Sequence, residues 1–256
     1  MPRRLIVLAL LACWGVPAGA LVGGASVVGG TGVGRHVVLI VGSRSNFCTG
    51  VAVARDLVLT VAHCVLPGAE YKIVEFDAAH QPALKPVTSV TRHPGFKLET
   101  MLAHRATADV ALLKLAAPLA APAGPAALTT RAAFAVGERF TVAGYGLAVR
   151  GDGKTGGTIR AATLVTTGRP GTLQVRLADP ATLGERPGLG ACTGDSGAPA
   201  FEDNGGAAAV VGVVSWSTGP GGSDGCGGLT GLTPLVLYRD WIAATARQLG
   251  SPLGPF

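Results

Sequence analysis

The chain has 256 residues, a length that fits one large domain or two small ones and is enough to bury a sizeable core. Hydrophobic residues make up 48% of it and aromatic residues only 5%, while 39 glycines and 17 prolines favour many short strands and turns over long helices. The formal net charge of +6 comes without a basic cluster, which argues against a nucleic-acid-binding protein.

The first twenty residues have the pattern of a signal peptide. Arg3 and Arg4 form a positive start, Leu5 to Trp14 an apolar stretch, and residues 18–20 an A-x-A cleavage site. A membrane anchor is the weaker interpretation, because crossing a bilayer takes about 20 apolar residues. Lipidation at Cys13 is a second alternative, since the sequence LLAC loosely resembles a bacterial lipoprotein box. No later segment has the pattern of a membrane span, and we expect an exported protein.

The first half of the chain predicts short buried strands. Val61–Val65, after Thr60, predicts a helical turn. Residues 116–130 are rich in Ala and Pro and carry little Ser or charge, which predicts a connection between two halves and not a flexible linker. The strand candidates are Val37–Val41, Val51–Val53, Leu57–Leu59 and Val110–Leu115, with a turn at Gly42–Asn46.

The second half repeats this pattern, with Gly-rich turns between the strands. Residues 238–249 predict a C-terminal helix, stopped by Gly250 and Pro252. The chain is therefore predicted to be all-β, in two similar halves, with a C-terminal helix. The strand candidates are Phe140–Ala143, Thr158–Val165, Leu173–Leu177, Ala208–Trp216 and Leu229–Leu235.

Cysteine usage agrees with export. Cys13 lies in the signal region, which leaves Cys48, Cys64, Cys192 and Cys226. An even number of cysteines in an exported chain predicts two disulfides, for which three connectivities are possible. Four reduced, buried thiols are the alternative if the chain is not exported.

Three short stretches carry residue types suited to nucleophilic catalysis. They are LTVAHC at 59–64, ADVALL at 108–113 and TGDSGAP at 193–199. Each alone has a plain structural interpretation, as a core histidine, a cap at a strand edge or a turn. Their joint presence in the order His63, Asp109, Ser196 is specific, and it resembles the trypsin/chymotrypsin family of serine peptidases, which has this chain order.

The resemblance covers nearly all of the chain after residue 20. It implies one all-β peptidase domain over 21–256, built of two six-stranded antiparallel barrels (about 21–118 and about 119–256) and a C-terminal helix that begins near Trp241-Ile242. Residues 1–20 would be the signal peptide. The implied disulfides are Cys48–Cys64, beside the catalytic histidine, and Cys192–Cys226, beside the nucleophile.

The implied chemistry explains why these residue types are needed. A serine hydroxyl is a poor nucleophile at neutral pH and needs a base within about 2.6–3.2 Å. The imidazole of His63 suits this role, because an ordinary imidazole pKa of about 6.5 lies close to working pH. Asp109 would fix the imidazole tautomer, and the family implies that Ser215 donates a hydrogen bond to its carboxylate. The backbone N–H groups of Gly194 and Ser196 are expected to bind the oxyanion, with Gly at 194 allowing a conformation that a side chain would hinder.

The residue before the nucleophile has a separate expected role. In the family a new N-terminal ammonium pairs with this carboxylate, which implies an ion pair between Leu21 and Asp195. The sequence LVGG at 21–24 resembles the family's mature N-terminus, and cleavage after Ala20 would expose it directly. The alternative start is Val27, which would imply a six-residue propeptide and a zymogen.

The substrate pocket is expected to be uncharged. Its floor should lie six residues before Ser196, at Gly190, where an Asp would favour Arg or Lys substrates. The walls should come from Ser217 and Gly231, and Ser215-Trp216-Ser217 resembles the strand that pairs with substrate. A buried cation would lack a partner there, so we predict cleavage after uncharged, mainly apolar residues, with a tilt to medium aliphatic ones. The alternative is that Asp224, in the long Gly-rich loop before Cys226, restores a preference for basic residues.

The chain also departs from the family. A third disulfide, in the loop before Cys192, is missing, which implies an unstapled pocket wall. Glu70, Glu75 and Asp77 fall near a loop that binds calcium in some relatives, but the ligands are too poorly placed by sequence to predict a metal. We expect a monomer that takes peptide or protein substrates, with no metal, cofactor, nucleic acid or membrane partner. Two other functions remain for the same barrels: a catalytically silent binding module and a nonpeptide esterase.

Overall fold

The computed structural model describes residues 21–76, 81–168, 173–204 and 207–254. The predicted signal peptide, with Cys13, and Asp77 lie outside these residues. The helices are Leu98–Leu102 (α1) and Arg239–Gln248 (α2), and 3₁₀ turns span Gly32–His36, Ala62–Val65, Gly153–Thr155, Pro220–Gly222 and Leu235–Leu237. The strands are Ser26–Val27 (β1), Val37–Gly42 (β2), Phe47–Ala54 (β3), Leu57–Thr60 (β4), Tyr71–Phe76 (β5), Pro82–Arg92 (β6), Ala111–Leu115 (β7), Ala127–Leu128 (β8), Arg139–Gly144 (β9), Arg160–Thr166 (β10), Val175–Ala178 (β11), Pro199–Asn204 (β12), Ala207–Ser217 (β13) and Thr230–Pro234 (β14).

The strands form two closed, antiparallel, six-stranded barrels. The first has the order β2-β3-β4-β7-β6-β5. The second has the order β9-β10-β11-β14-β13-β12 and closes by the pairing of β12 with β9. Two short strands add to its rim: β1 pairs with β10, and β8 runs parallel to β13. The predicted all-β class, with two six-stranded barrels and a C-terminal helix, is confirmed.

The strands that lead to the centre of the molecule are buried on both faces. Every residue of β4 is buried, and only one residue of β7 is partly exposed. Leu57, Leu59 and Leu112 are fully buried. Burial of one such side chain is worth about 1.5–3 kcal/mol, so the runs of Val and Leu hold the turn after β4 and the residues before β7 on a rigid frame.

Each terminal segment of the described residues packs on the barrel that lies farther from it in the sequence. Leu21 and Ala25 pack in the core of the second barrel, and β1 pairs with a strand of that barrel. Residues 21–27 therefore belong with the second barrel, whereas the predicted division near residue 118 assigned them to the first. The reason is local: Leu21 is fully buried, and Val22 forms an antiparallel bridge with Gly190. At the other end, α2 packs against the first barrel's core through Ile242. No helix among the described residues is long and apolar enough to cross a lipid bilayer.

Candidate active site

His63 lies in the 3₁₀ turn Ala62–Val65, directly after β4. The three other residues of this turn are buried, whereas the His63 side chain keeps 17% of its surface exposed. A disulfide joins Cys64 to Cys48 on β3, as the resemblance implies. The imidazole is therefore held on a fixed turn with one edge open to the surface.

Asp109 precedes β7 and is only 1% exposed. Its Oδ2 accepts hydrogen bonds from His63 Nδ1 at 2.7 Å and from Ser215 Oγ at 2.5 Å, and its Oδ1 accepts one from the His63 backbone N–H at 3.0 Å. Burial acts to raise the pKa of Asp109, but the hydrogen bonds from His63 and Ser215 and the nearby imidazole outweigh it and hold this pKa below its usual value. An ionised carboxylate that accepts from Nδ1 leaves Nε2 of His63 as the basic nitrogen.

Ser196 lies between β11 and β12, against the His63 turn. Its carbonyl oxygen accepts a hydrogen bond from Thr49 N at 2.8 Å and lies 3.8 Å from Cys64 Sγ. The next N–H, of Gly197, donates to Val214 O at 2.7 Å. The Ser196 hydroxyl itself makes no hydrogen bond to another described residue, so the expected bond to His63 is not formed. Such bonds are often long in free enzymes and tighten when substrate binds.

The loop before Ser196 leaves two backbone donors free. Gly194 has φ +94°, and a Cβ at this position would lie 2.1 Å from the Phe47 ring, so only glycine fits. The Gly194 carbonyl points away from the surface and accepts from Thr49 Oγ1 at 2.8 Å. Within the described part of the chain, neither Gly194 N nor Ser196 N donates a hydrogen bond. These are the two donors expected for an oxyanion hole.

Asp195 points inward and is completely buried. Its Oδ1 accepts from Gly146 N at 2.9 Å and its Oδ2 from Cys192 N at 3.0 Å. Burial raises the pKa of Asp195 to about 7, against these two hydrogen bonds and the charge of Arg160, which act to lower it. In this chain the Leu21 nitrogen is part of a peptide bond and carries no charge. No ion pair to Asp195 forms among the described residues.

The expected pocket residues lie on two adjacent strands. On β13 and β14, Trp216 pairs with Gly231, and Ser217 pairs with Thr230. Directly paired residues share a face of the sheet. A Cβ at Gly231 would lie 2.0 Å from the Trp216 indole, so Gly231 makes room for that ring on the other face. Thr230 therefore lies opposite Ser217, at the wall position that the sequence analysis assigned to Gly231. The motifs did not select Thr230, although the alternation of side chains along β14 could have indicated it.

Thr230 is fully buried, and its hydroxyl accepts a hydrogen bond from Ala191 N at 3.0 Å. Gly190, next to Ala191, bridges to Val22. A second disulfide, Cys192–Cys226, joins this segment to the loop after β13. The segment before the nucleophile is thus tied to β14, to the N-terminal segment and to the long loop.

The long loop after β13 carries Asp224 on its outside. Asp224 is exposed, and its carbonyl accepts a hydrogen bond from Arg150 at 2.7 Å. The Ser217 hydroxyl donates to Gly225 O at 3.3 Å. The Asp224 carboxylate makes no ion pair within the described ranges.

Of the acidic residues considered for a metal, the structure describes Glu70 and Glu75, and the Glu75 side chain has other partners. Glu75 Oε2 lies 2.8 Å from Lys85 Nζ, and Glu75 Oε1 accepts from Ala120 N at 2.7 Å. Glu70 is exposed. The described residues contain no group of three or more His, Cys, Asp and Glu side chains that could hold a metal ion.

A cavity of about 620 Å³ lies away from the triad. It is lined by Val27, Phe76, Tyr145 and residues 119–123, and no triad residue contributes to its wall. Its lining offers no nucleophile with an adjacent base, so it is not the place where bonds would be broken.

One comparison with known proteins bears on this geometry. A family model described as Trypsin matches residues 21–242 of the chain. The matched range begins at the predicted mature N-terminus and contains His63, Asp109 and Ser196.

Proposed function

The chain belongs to the trypsin family, and from that membership we propose that it is a secreted serine endopeptidase whose catalytic residues are His63, Asp109 and Ser196. The observation that carries the proposal is the buried Asp109 carboxylate, which accepts His63 Nδ1 at 2.7 Å and the Ser215 hydroxyl at 2.5 Å. A carboxylate so placed orients one imidazole tautomer and stabilises its protonated form. The two disulfides support export, because such bonds persist in oxidising compartments.

The reaction is acyl transfer to water. Ser196 Oγ attacks the peptide carbonyl carbon while His63 Nε2 takes the hydroxyl proton. The oxyanion of the tetrahedral intermediate accepts hydrogen bonds from Gly194 N and Ser196 N. Collapse breaks the C–N bond, and His63 passes its proton to the leaving amine. A water then attacks the acyl ester, gives a proton to His63, and the acid leaves as Ser196 is reprotonated.

The activating group is the ammonium of Leu21. Leu21 is fully buried, whereas Val27 is 62% exposed and lies in β1, which favours a mature start at Leu21. Signal peptidase cleavage after Ala20 would generate this ammonium without a separate propeptide. Its pairing with Asp195 would supply the counter-charge that this buried carboxylate otherwise lacks.

The substrate preference is for an uncharged P1 residue, the residue on the acyl side of the cleaved bond. The floor and walls, Gly190, Ala191, Ser217 and Thr230, carry no charge. A full-length Arg or Lys would lose its hydration there without gaining a partner, whereas an apolar side chain gains about 1.5–3 kcal/mol on burial. Thr230 and Ser217 face each other across the paired strands, so they make the pocket narrower than two glycines would. A narrower pocket favours medium aliphatic side chains. Asp224 is exposed, which favours this uncharged pocket.

The test uses the secreted chain that begins at Leu21. A fluorophosphonate probe should label the wild type and not Ser196→Ala, and a silent binding module would show no labelling. Peptides identical except at P1 should give the highest kcat/KM with medium aliphatic residues. A dominant preference for Arg or Lys would refute the uncharged pocket, and loss of that preference in Asp224→Ala would identify the carboxylate responsible. Esters cleaved without any peptide cleavage would favour the esterase.

A further inference from the structure

The loop that leads to the pocket floor contains a buried carboxylate with no catalytic role. Asp179 follows β11 and is 8% exposed. Its Oδ1 accepts a hydrogen bond from Ala181 N at 2.8 Å, and its Oδ2 accepts one from Leu189 N at 2.8 Å. The second bond spans ten residues and ends next to Gly190. Asp179 forms no ion pair within the described residues, so its negative charge is directed at these two N–H groups.

The approach of this carboxylate to the loop depends on a glycine. A Cβ at Gly188 would lie 2.5 Å from Asp179 Oδ2 and 2.6 Å from Thr182 Oγ1. The Thr182 hydroxyl is buried and makes no hydrogen bond in the described part of the molecule. Gly188 thus lets the backbone pass directly over the Asp179 side chain.

The short strip 188–190 is held from three sides. Asp179 holds Leu189 N, Gly188 N donates to Gly227 O at 3.1 Å, and Gly190 bridges to Val22. The chain lacks the third disulfide that is common in the family in the loop before Cys192. A charge-assisted hydrogen bond has a defined direction and is stronger than one between neutral groups, so it can fix a backbone position without a covalent link.

We propose that Asp179 is a positioning residue that holds the floor of the substrate pocket in place of the missing cross-link. The inference rests on the proposed peptidase function for its consequence on specificity. Asp179 touches no reacting atom. Its loss should therefore loosen the strip 188–190, and with it the P1 site, while the triad and the oxyanion donors stay in place.

The first experiment measures peptide cleavage by Asp179→Ala and Asp179→Asn. In Asp179→Ala we expect KM for the preferred peptide to rise about tenfold or more, the size of one hydrogen bond to a charged acceptor, with kcat nearly unchanged. The preference among P1 residues should fall by a similar factor, and the rate of fluorophosphonate labelling should stay close to wild type. Asp179→Asn keeps one acceptor oxygen and should recover part of the selectivity.

Two further variants separate positioning from general stability. Asp152→Ala is the matched control, because Asp152 also accepts a backbone N–H two residues on, from Lys154 at 3.1 Å, but in an exposed turn; it should leave selectivity unchanged. Gly188→Ala keeps Asp179 but forces its carboxylate away, and should reproduce the loss of selectivity. A fall in kcat and labelling rate with P1 preference intact would overturn the proposal, because it would mean that Asp179 serves only overall folding.

A second measurement does not require catalysis. In Ser196→Ala, the amide hydrogens of residues 181 and 189 should exchange slowly, and adding Asp179→Ala should speed their exchange about tenfold or more. If the wild type cleaves no peptide but this exchange result holds, the peptidase proposal fails and the positioning role stands. If exchange at residue 189 does not change, the positioning role is refuted whatever the activity.

Discussion

The buried carboxylate of Asp195 makes stability depend on the N-terminus in a way that can be measured. Two forms of Ser196→Ala, which cannot digest itself, should be compared: one that begins at Leu21 and one that retains Ala20. In the longer form the Leu21 nitrogen is a peptide nitrogen and carries no charge. Asp195 then has only its two backbone hydrogen bonds and the more distant charge of Arg160.

The size of the effect follows from the pKa of Asp195, which burial raises from 3.8 to about 7. Between these two pH values the folded longer form binds a proton that the unfolded chain has already lost. Its free energy of unfolding should therefore fall as pH rises from about 4 to about 7, by up to about 4 kcal/mol at about 1.4 kcal/mol per pKa unit. In the form that begins at Leu21 the ammonium lowers the pKa of Asp195, so most of this loss should disappear.

Urea unfolding of both forms between about pH 4 and about pH 10 measures the difference and covers the titration of the amine. The other titratable groups are common to the two forms and cancel when the curves are subtracted. The advantage of the shorter form should grow as pH rises towards 7 and should disappear again above the folded-state pKa of the paired amine, which pairing raises above about 8. Parallel curves for the two forms would refute the ion pair between Leu21 and Asp195.

Three further outcomes test other parts of the site. Asp109→Asn should lower kcat about 10⁴-fold, the loss this change causes in the type enzyme of the mechanism, with little change in the unfolding midpoint; a loss under tenfold in a steady-state assay would remove Asp109 from the triad. Gly194→Ala places a methyl group 2.1 Å from Phe47 and should lower kcat by about 10²–10³-fold. Fluorescence-monitored unfolding should still show a folded protein, and retention of full activity would contradict the oxyanion assignment. Replacing Cys48 and Cys64 by Ser opens a loop with a sequence separation of 16 and should cost about 3 kcal/mol in urea unfolding; equal stability of the two proteins would argue against the cross-link.

The sequence predicted those parts of the fold whose residues have one strong preference. The strands β2, β4 and β7 could be predicted because runs of Val, Leu and Ile, which favour buried strands, dominate them. The strand Pro82–Arg92 was missed, since its two prolines and its polar side chains resemble a loop. The strand Pro199–Asn204 is not predicted from the sequence, because a glutamate such as Glu202 is typical of an exposed position. In the fold Glu202 is buried and lies 2.7 Å from Arg131 Nε, a partner 71 positions away that no local pattern can indicate.

The same difference between local patterns and distant partners applies to the residues of the candidate site. The residues proposed for the triad and the oxyanion hole could be selected from the sequence because three short motifs carry them. Thr230 and Asp179 were missed because their roles come from pairing: Thr230 acquires its place from the register of β14 against β13, and Asp179 from the return of the chain to Leu189. Residues that bind the backbone of a distant segment leave no motif, since the backbone is the same whatever the sequence.

The packing of each terminal segment on the more distant barrel has a consequence for synthesis on the ribosome. The strands of the first barrel emerge early, but α2, which packs on their core, is made near the end of synthesis. Residues 21–27 emerge before both barrels and must wait for the second one. Neither barrel can reach its final packing until nearly the whole chain has left the exit tunnel. If the chain is exported, as proposed, this delay would keep it able to pass through a membrane channel while translation continues. Both barrels would then close together, after transport, on the side of the membrane where the cysteines can be oxidised.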